Sequence, residues 1–525
     1  MHSGATDAST PVSEVNADPN TAYANEINAL HHWLGADKTD LGRLLEPLRG
    51  ADVTPQQVYA LLKQAWLRVQ DLRDRQADLT ASVDSDSETV SRLERAFRHL
   101  QAGEGFSPDE GDAAFDQTAQ RALEAGLPAA KAAAVIAAHA QLAAARFDHR
   151  RAGDLYSRAA VIEGLDTPLQ WRHELKRAAA LTEQGRDFPD RSALEEALGL
   201  FENQVLPLAP REERPADWAE THHQWAEALG ILGLQQRGTR LLEQSIAHYK
   251  EGLAERTREA MPSAWAATQN GLGHVMGVHA QRTAETEMLE KAVQAFEAAL
   301  EVRTLEETPQ EWAIAQNNLG GALLNLGNRK KDESLLERAR DAYRAVLKVW
   351  TRERAPLDWA MAQHNLATAL RTLGECGGYA RILEASVTAY QEALSERSRE
   401  RTPMDWAMTQ NNLGAALHKL GECQEDPQTL EVAMGAYDNA LQEWTRERGP
   451  VTWAMTLANK AAARKALAQL TRDVAQVRQA RSDFQTLGEV FRSVSHAQYY
   501  ELAVEQVAVL QKLEQELVSG TAPRA

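Results

Sequence analysis

Asparagine side chains return along this chain at the regular interval that groups acting together on one ligand would need. Asn270, Asn317 and Asn411 stand 47 residues apart or twice that, and His364 fills the remaining place of the column. A second column runs beside it, from Gly271 through Asn318, Asn365 and Asn412 to Asn459. Asparagine is a mediocre helix former, so its return inside helices calls for a reason. A side-chain amide offers both donor and acceptor, which matches the alternating N–H and C=O of an extended peptide. The same amides can instead bond neighbouring helices, or water between units, and both readings stand at this level. His274, Arg371, His418 and Lys419 complete the candidate set. The last three lie toward the carboxy-terminal end, whereas Glu220 and Glu227 lie toward the amino-terminal end. That gradient either gives a polar ligand its direction or is a mixed solvated surface. Met361, Met408 and Met455 form a parallel column whose pliable side chains either grip an apolar anchor or fill space along the wall.

Other reactive residue types fall into no catalytic pattern. The pairs His31-His32 and His222-His223 put adjacent rings about 100° apart on a helix, and neither sits in a zinc-ligand spacing. There is no phosphate-cradling Gly-x-x-x-x-Gly-Lys loop and no strand-turn-helix setting for a serine nucleophile. The expectation is a non-enzyme with no cofactor and no metal; a hydrolase assembled from scattered residues is the distant alternative. Cys376 and Cys423 share the tetrapeptide Leu-Gly-Glu-Cys one interval apart. Stacked equivalent positions are separated by about 8–10 Å, beyond what a disulfide bridges, so both read as free thiols.

The elements that hold these columns follow from the interval itself. Pro-x-x-Trp-Ala places Trp218, Trp265, Trp312, Trp359, Trp406 and Trp453 47 residues apart, and Trp171 falls on the same grid in a degenerate copy whose downstream aromatic, Phe201, is displaced by one. Leu242, Leu289, Leu336, Leu383 and Leu430 keep the step, as do Tyr249, Phe296, Tyr343, Tyr390, Tyr437 and Phe484. Each unit thus predicts two amphipathic helices, one starting near Trp406 and the other near Leu430, separated by Gly421 and a polar turn. A Pro ends each unit, and Asp217, Asp358 and Asp405 two residues later are read as caps of the next helix. On a helical wheel Trp406, Gln410, Leu413, Gly414 and Leu417 share the buried arc, while Met408, Asn411, Asn412, Ala415 and Lys419 share the opposite one. Gln269, Gln316, Gln363 and Gln410 are read as buried amides, and Arg258, Arg352, Arg399 and Arg446 as a ladder of ion pairs.

Leu413, Gly414, Leu417, Ala433, Tyr437 and Ala440 carry a resemblance to the tetratricopeptide repeat family, in the longer bacterial form whose repeats read WAxTQNNLG; the Asn-Asn-Leu is similar to kinesin light chain repeats. The resemblance is clear over about residues 215–490 and weaker back to about 128. It implies an all-α, right-handed superhelical solenoid of stacked antiparallel helix pairs, with the first helix of each pair lining a concave groove. The function it implies is an adaptor or scaffold holding a protein or peptide, as a regulatory or sensing subunit of a bacterial complex. Self-assembly through the terminal helices is the alternative.

The expected organisation is a disordered tail over 1–20, an N-terminal helical hairpin or coiled coil over 21–102, a linker and entry helix over 103–127, the array over 128–495 and a capping helix with its tail over 496–525. The hairpin rests on Val58, Leu62, Ala65, Val69 and Leu72, then Val90, Leu93, Phe97 and Leu100, and is read as an extra cap or a docking element. Lys and Arg number 57 against 75 Asp and Glu, a formal charge of -18 that disfavours nucleic acid and anionic membranes as partners. With no long apolar run and neither Lys nor Arg in the first twenty residues, the expected compartment is the cytoplasm.

Overall fold

The computed structural model of the protein describes residues 27, 30–31, 38–45, 48, 55–74, 128–494 and 496–519. The expected tail over 1–20, the stretch holding Val90, Leu93, Phe97 and Leu100, and the linker from Gly103 to Asp112 lie outside them. Among the described residues every regular element is a helix.

Each unit opens with a long first helix, as in Pro309–Lys330, Pro356–Gly377, Pro403–Gln424 and Pro450–Thr471, and closes with a shorter second one, as in Glu333–Val346, Ala380–Leu394 and Pro427–Leu441. Proline begins each of these first helices because its fixed φ suits the first helical position, where its missing N–H is not needed. That corrects one expectation. Arg214, Ala355 and Thr402 hold the cap position, and Asp217, Asp358 and Asp405 lie inside the first turn, where a negative charge complements the helix dipole without capping. In these units side-chain capping occurs instead on second helices, where Asp332, Asp426 and Asp473 accept from backbone N–H groups, while the degenerate first helix Thr167–Asp187 is capped by Asp166.

The first helices end by one repeated device. Ala284, Lys331, Gly378, Glu425 and Arg472, spaced 47 apart, all take left-handed backbone angles, with φ of 60°, 52°, 65°, 51° and 58°. Only one of the five is the glycine this conformation favours. The Leu-Gly pairs of the sequence are contact points between the two helices of a unit. A Cβ on Gly414 would lie 2.9 Å from the ring of Tyr437, and one on Gly421 would lie 2.9 Å from the side chain of Leu430. Stacking joins these contacts into apolar clusters that run across several units, such as the one holding Leu272, Phe296, Leu323, Tyr343 and Leu370.

Two irregularities have local causes. The displaced Phe201 begins a π-helical turn, Phe201–Val205, and the wider turn takes up the extra residue between that aromatic and Trp218. Past the last full unit, Ala497–Ser519 lies on Val474–Ser493 through Phe491, Ala503 and Leu510.

Curvature decides which face is hollow. Successive first helices pack against one another through the array, whereas successive second helices touch at isolated points at most. The layer whose members approach more closely is the inner one, so first helices line the concave side.

Candidate partner-binding channel

The Asn columns lie on this inner layer, and all of their members from Asn270 to Asn412 are half-buried except His364, which is buried. They bond to each other across every boundary. Asn318 Nδ2 donates to Asn270 Oδ1 at 3.2 Å, Asn365 to Asn317 at 2.9 Å, and Asn459 to Asn411 at 3.3 Å. At the remaining boundary Asn412 Nδ2 meets His364 Nε2 at 3.3 Å. The second-column amide of one unit always reaches the first-column residue of the unit before. The ladder starts where Gly271, lacking a side chain, leaves His223 without such a donor.

Each of the three amide rungs uses one oxygen and one NH2 group. The first-column amide keeps its own NH2 and the second-column amide keeps its carbonyl, so a line of polar groups at one-unit spacing remains on the inner face. At Asn411 that NH2 turns sideways to Asn412 Oδ1, 3.1 Å away.

Beneath the His364 rung, and again at the His223 boundary where there is no rung, lies a buried polar set that the sequence reading missed. Thr409 Oγ1 donates to the carbonyl of Asp405 at 2.7 Å and accepts from Arg397 Nη1 at 3.0 Å, with His364 Nδ1 3.1 Å away. Since His364 Nε2 faces the Asn412 NH2, the proton belongs on Nδ1 and points at the threonine. Burial, with Arg397 and Arg371 nearby, pushes the His364 imidazole down to about 3, so the ring is neutral at physiological pH. The same set recurs three units earlier, where Thr268 Oγ1 meets Arg256 Nη1 at 2.9 Å and His223 Nδ1 at 3.0 Å, and Glu220 pairs with Arg256. Burial pushes His223 down to about 4. Thr221, Thr268, Thr409 and Thr456 share the 47-residue grid, as do Arg256 and Arg397, so the signal was present in the sequence.

The remaining candidates are engaged locally. Arg371 Nη1 donates to Glu375 at 2.6 Å, Lys419 Nζ to Glu422 at 2.7 Å, and buried His418 lies 3.2 Å from the same Glu422. The His418 hydrogen bond and Lys419 draw the Glu422 carboxyl down to about 2. At the other end Glu227 accepts from Arg186 at 2.6 Å. These partners neutralise both ends of the charge gradient read from the sequence. His274 is exposed.

The scaffold residues form ladders of their own. Arg211, Arg258, Arg352 and Arg399 each reach a glutamate one unit on, at 2.7 Å for Glu255 and Glu396 and 2.5 Å for Glu443, with Glu301 closing the Arg258 pair. Leu305 interrupts that column. Arg211, Arg352 and Arg446 also lie over the rings of Trp218, Trp359 and Trp453, 4.7, 5.4 and 6.0 Å from the centroids. Cys376 and Cys423 are exposed free thiols. Among the described residues no group of three or more His, Cys, Asp or Glu could hold a metal ion, and no helix is long and apolar enough to cross a membrane.

A sequence model of the tetratricopeptide repeat matches residues 312–349, which fall within the unit that begins at Pro309. No curated protein matches. Among solved structures, human IFIT1 as a dimer with PPP-AAAA is 14% identical with a TM-score of 0.41, covering 93% of this chain and 99% of that one. A Rap protein complexed with competence and sporulation factor is 12% identical with a TM-score of 0.35, over 74% and 99% of the two chains. The Cut9 and Hcn1 hetero-tetramer of APC/C is 12% identical with a TM-score of 0.28, over 95% and 98%. Likenesses this distant say nothing of partners. The family's repeat is found in one unit and the same helix pair is stacked on either side of it, so the fold is a solenoid of tetratricopeptide-like helix pairs.

Proposed function

We propose that the chain is a scaffold or adaptor whose inner face holds an extended peptide or a partner protein, in the manner of a regulatory or sensing subunit of a bacterial complex. The observation that carries this reading is the half-buried amide ladder, which leaves an unused donor or acceptor on most rungs at one-unit spacing. Such a line fits main-chain groups of a ligand lying along the channel. The ladder itself carries no cation to neutralise a nucleic-acid phosphate, and the net charge of -18 opposes one.

Replacing the amides by alanine would break the ladder along with the surface, so the sharper test changes only the free end. Asn270→Asp together with Asn317→Asp keeps the oxygens that accept from Asn318 and Asn365 and converts the free donors to acceptors. Affinity capture on the immobilised full chain from a lysate of the source organism should lose its principal partner by tenfold or more, with unfolding little changed. Recovery of the same partner at the same yield overturns the reading.

One observation favours the second reading, self-assembly. The last helix leaves Leu502 and Val509 exposed two turns apart, beside the partly buried face that rests on the array. Light scattering of the full chain against Leu502→Glu/Val509→Glu decides it, since a dimer through this helix would halve in mass.

A further inference from the structure

The inner layer already has an occupant. Pro55–Asp74 buries Val58, Leu61, Leu62, Ala65, Trp66 and Val69 at three- and four-residue spacing, one apolar stripe. That stripe packs in one cluster with Phe147 near the start of the array and with Leu357 far along it. Toward its carboxy-terminal end Arg68 donates to the carbonyl of Ala144 at 3.0 Å and pairs with Glu183 at 2.6 Å. Ala144 and Glu183 belong to the first helices Ala129–Ala145 and Thr167–Asp187. Toward the other end, Lys63 is drawn to Asp358 and Glu311, both in the opening turns of first helices three to five units later. Nine residues of helix, about 14 Å, separate Tyr59 from Arg68. A helix that touches inner-layer helices of such distant units lies across the hollow of the array.

The repeat supplies an internal control for this contact. Leu357 and Met404 occupy the same position in neighbouring units, yet Leu357 is 4% exposed and Met404 57%. Only the first is covered. The fit is also incomplete, since Tyr59 Oη is buried there without a hydrogen-bond partner.

We propose that this seat, formed by Phe147, Glu183, Glu311, Leu357 and Asp358, is a helix-binding site that the chain's own Pro55–Asp74 helix fills, and that a partner's amphipathic helix with a matching apolar stripe and two cations displaces it. The seat is acidic where the helix is basic, which sets the polarity of the occupant: Lys63 toward Asp358, Arg68 toward Glu183. The channel is therefore closed until the helix leaves. A partner bound along the amide ladder and a helix in the seat would compete for the same hollow.

This inference rests on the inner face being a binding surface, but its test needs no partner, so it can fail while capture through the amides stands, and the reverse. In the full chain, Val58→Asp/Leu62→Asp breaks the resident stripe and leaves the seat intact. A fluorescein-labelled synthetic peptide of residues 53–76 should bind this variant at least tenfold more tightly than the wild type. Adding Leu357→Glu should abolish the gain. Equal binding to wild type and variant, a gain that survives Leu357→Glu, or loss of the array's own helicity in the variant each overturns the proposal. An independent measurement uses milder changes: Arg68→Glu should speed amide exchange over residues 58–69 at least tenfold, and Arg68→Glu/Glu183→Arg should restore it. Unchanged exchange in Arg68→Glu counts against the seat.

Discussion

Two boundaries of the same array solve one packing problem in opposite ways. Between the unit of Asn317 and the next, the space under the ladder is apolar: Trp350 packs with Ala313, Val346 and Ala362. Between the unit of His364 and the next, Arg397 stands where Trp350 stood and Thr409 where Ala362 stood, and both are buried. The rung above is an Asn pair in the first case and Asn412 with His364 in the second. Identical helices thus carry either a dry filling or a bonded polar one. The choice is made by three residues that change together, which is how a repeat protein varies one interface without disturbing the next. A satisfied polar set gives modest net stability but is costly to break, so the two boundaries should differ most under mutation.

The largest expected effect is at Thr409. Thr409→Val removes the oxygen that accepts from Arg397 and faces the His364 N–H, leaving two buried donors unpaired at a cost of about 3 kcal/mol. Urea unfolding checks this. The triple change His364→Asn/Arg397→Trp/Thr409→Ala writes the neighbouring boundary into this one and should recover much of that loss. Additive losses would mean that the three residues do not form one unit of structure.

Acid separates the boundaries next. His364 is held down to about 3 in the folded chain against 6.5 as its ordinary value. Above pH 6.5 the ring is neutral in both states and pH has no effect through it. Below that, the unfolded chain takes a proton that the folded site refuses, so stability falls as pH falls, toward the folded value near 3. Between pH 6.5 and 5 this amounts to about 2 kcal/mol at most. His364→Asn/Thr409→Ala should flatten the wild-type loss of stability over that window by a comparable amount. Parallel pH profiles for the two proteins would show that the imidazole is not shielded.

Much of this architecture is legible without coordinates, and the exceptions have physical reasons. The tryptophan spacing fixes the period, and the Leu-Gly and Tyr columns assign the faces, because a contact repeated in every unit leaves the same residue type in every copy. The wheel puts Asn411 and Asn412 on the inner arc for the same reason. What one unit cannot show is the partner. Asn365 bonds Asn317, 48 residues back, an offset that appears only once units are stacked. The acid at Asp358 was misplaced because proline takes the first helical position and moves the cap upstream. The covering of Leu357 has no repeat signal at all, being made by a segment outside the array.

A smaller effect is expected at the turns that all units share. Lys331 and Glu425 end their first helices in left-handed conformations at φ of 52° and 51°, whereas the unit between them uses Gly378 at 65°. Steric strain of a Cβ there is about 1 kcal/mol. Lys331→Gly and Glu425→Gly should therefore raise stability by roughly that amount, and Gly378→Ala should lower it by as much, with the three changes adding because they lie a unit apart. Thermal melting of the single and combined variants reads the sign directly; destabilisation by either glycine would refute the strain.

The smallest contrast lies on the outer surface. Arg399 reaches Glu443 at 2.5 Å and Gln442 at 2.7 Å, and Arg352 reaches Glu396 at 2.7 Å, but Leu305 breaks the ladder between the units around it. If the ladder were what fastens units together, the gap at Leu305 would be a weak joint. Exposed arginines screened by water make that improbable energetically: pairs of this kind contribute about 0.2–1 kcal/mol. A double-mutant cycle on Arg399 and Glu443 should give a coupling within that range that shrinks as salt is raised. Amide exchange should be no faster at the joint beside Leu305 than at its neighbours, because Leu305 there packs with Trp312, Val349 and Trp350 in place of the missing ion pair. Faster exchange at that joint would move the fastening of the array from its apolar interior to its charged rim.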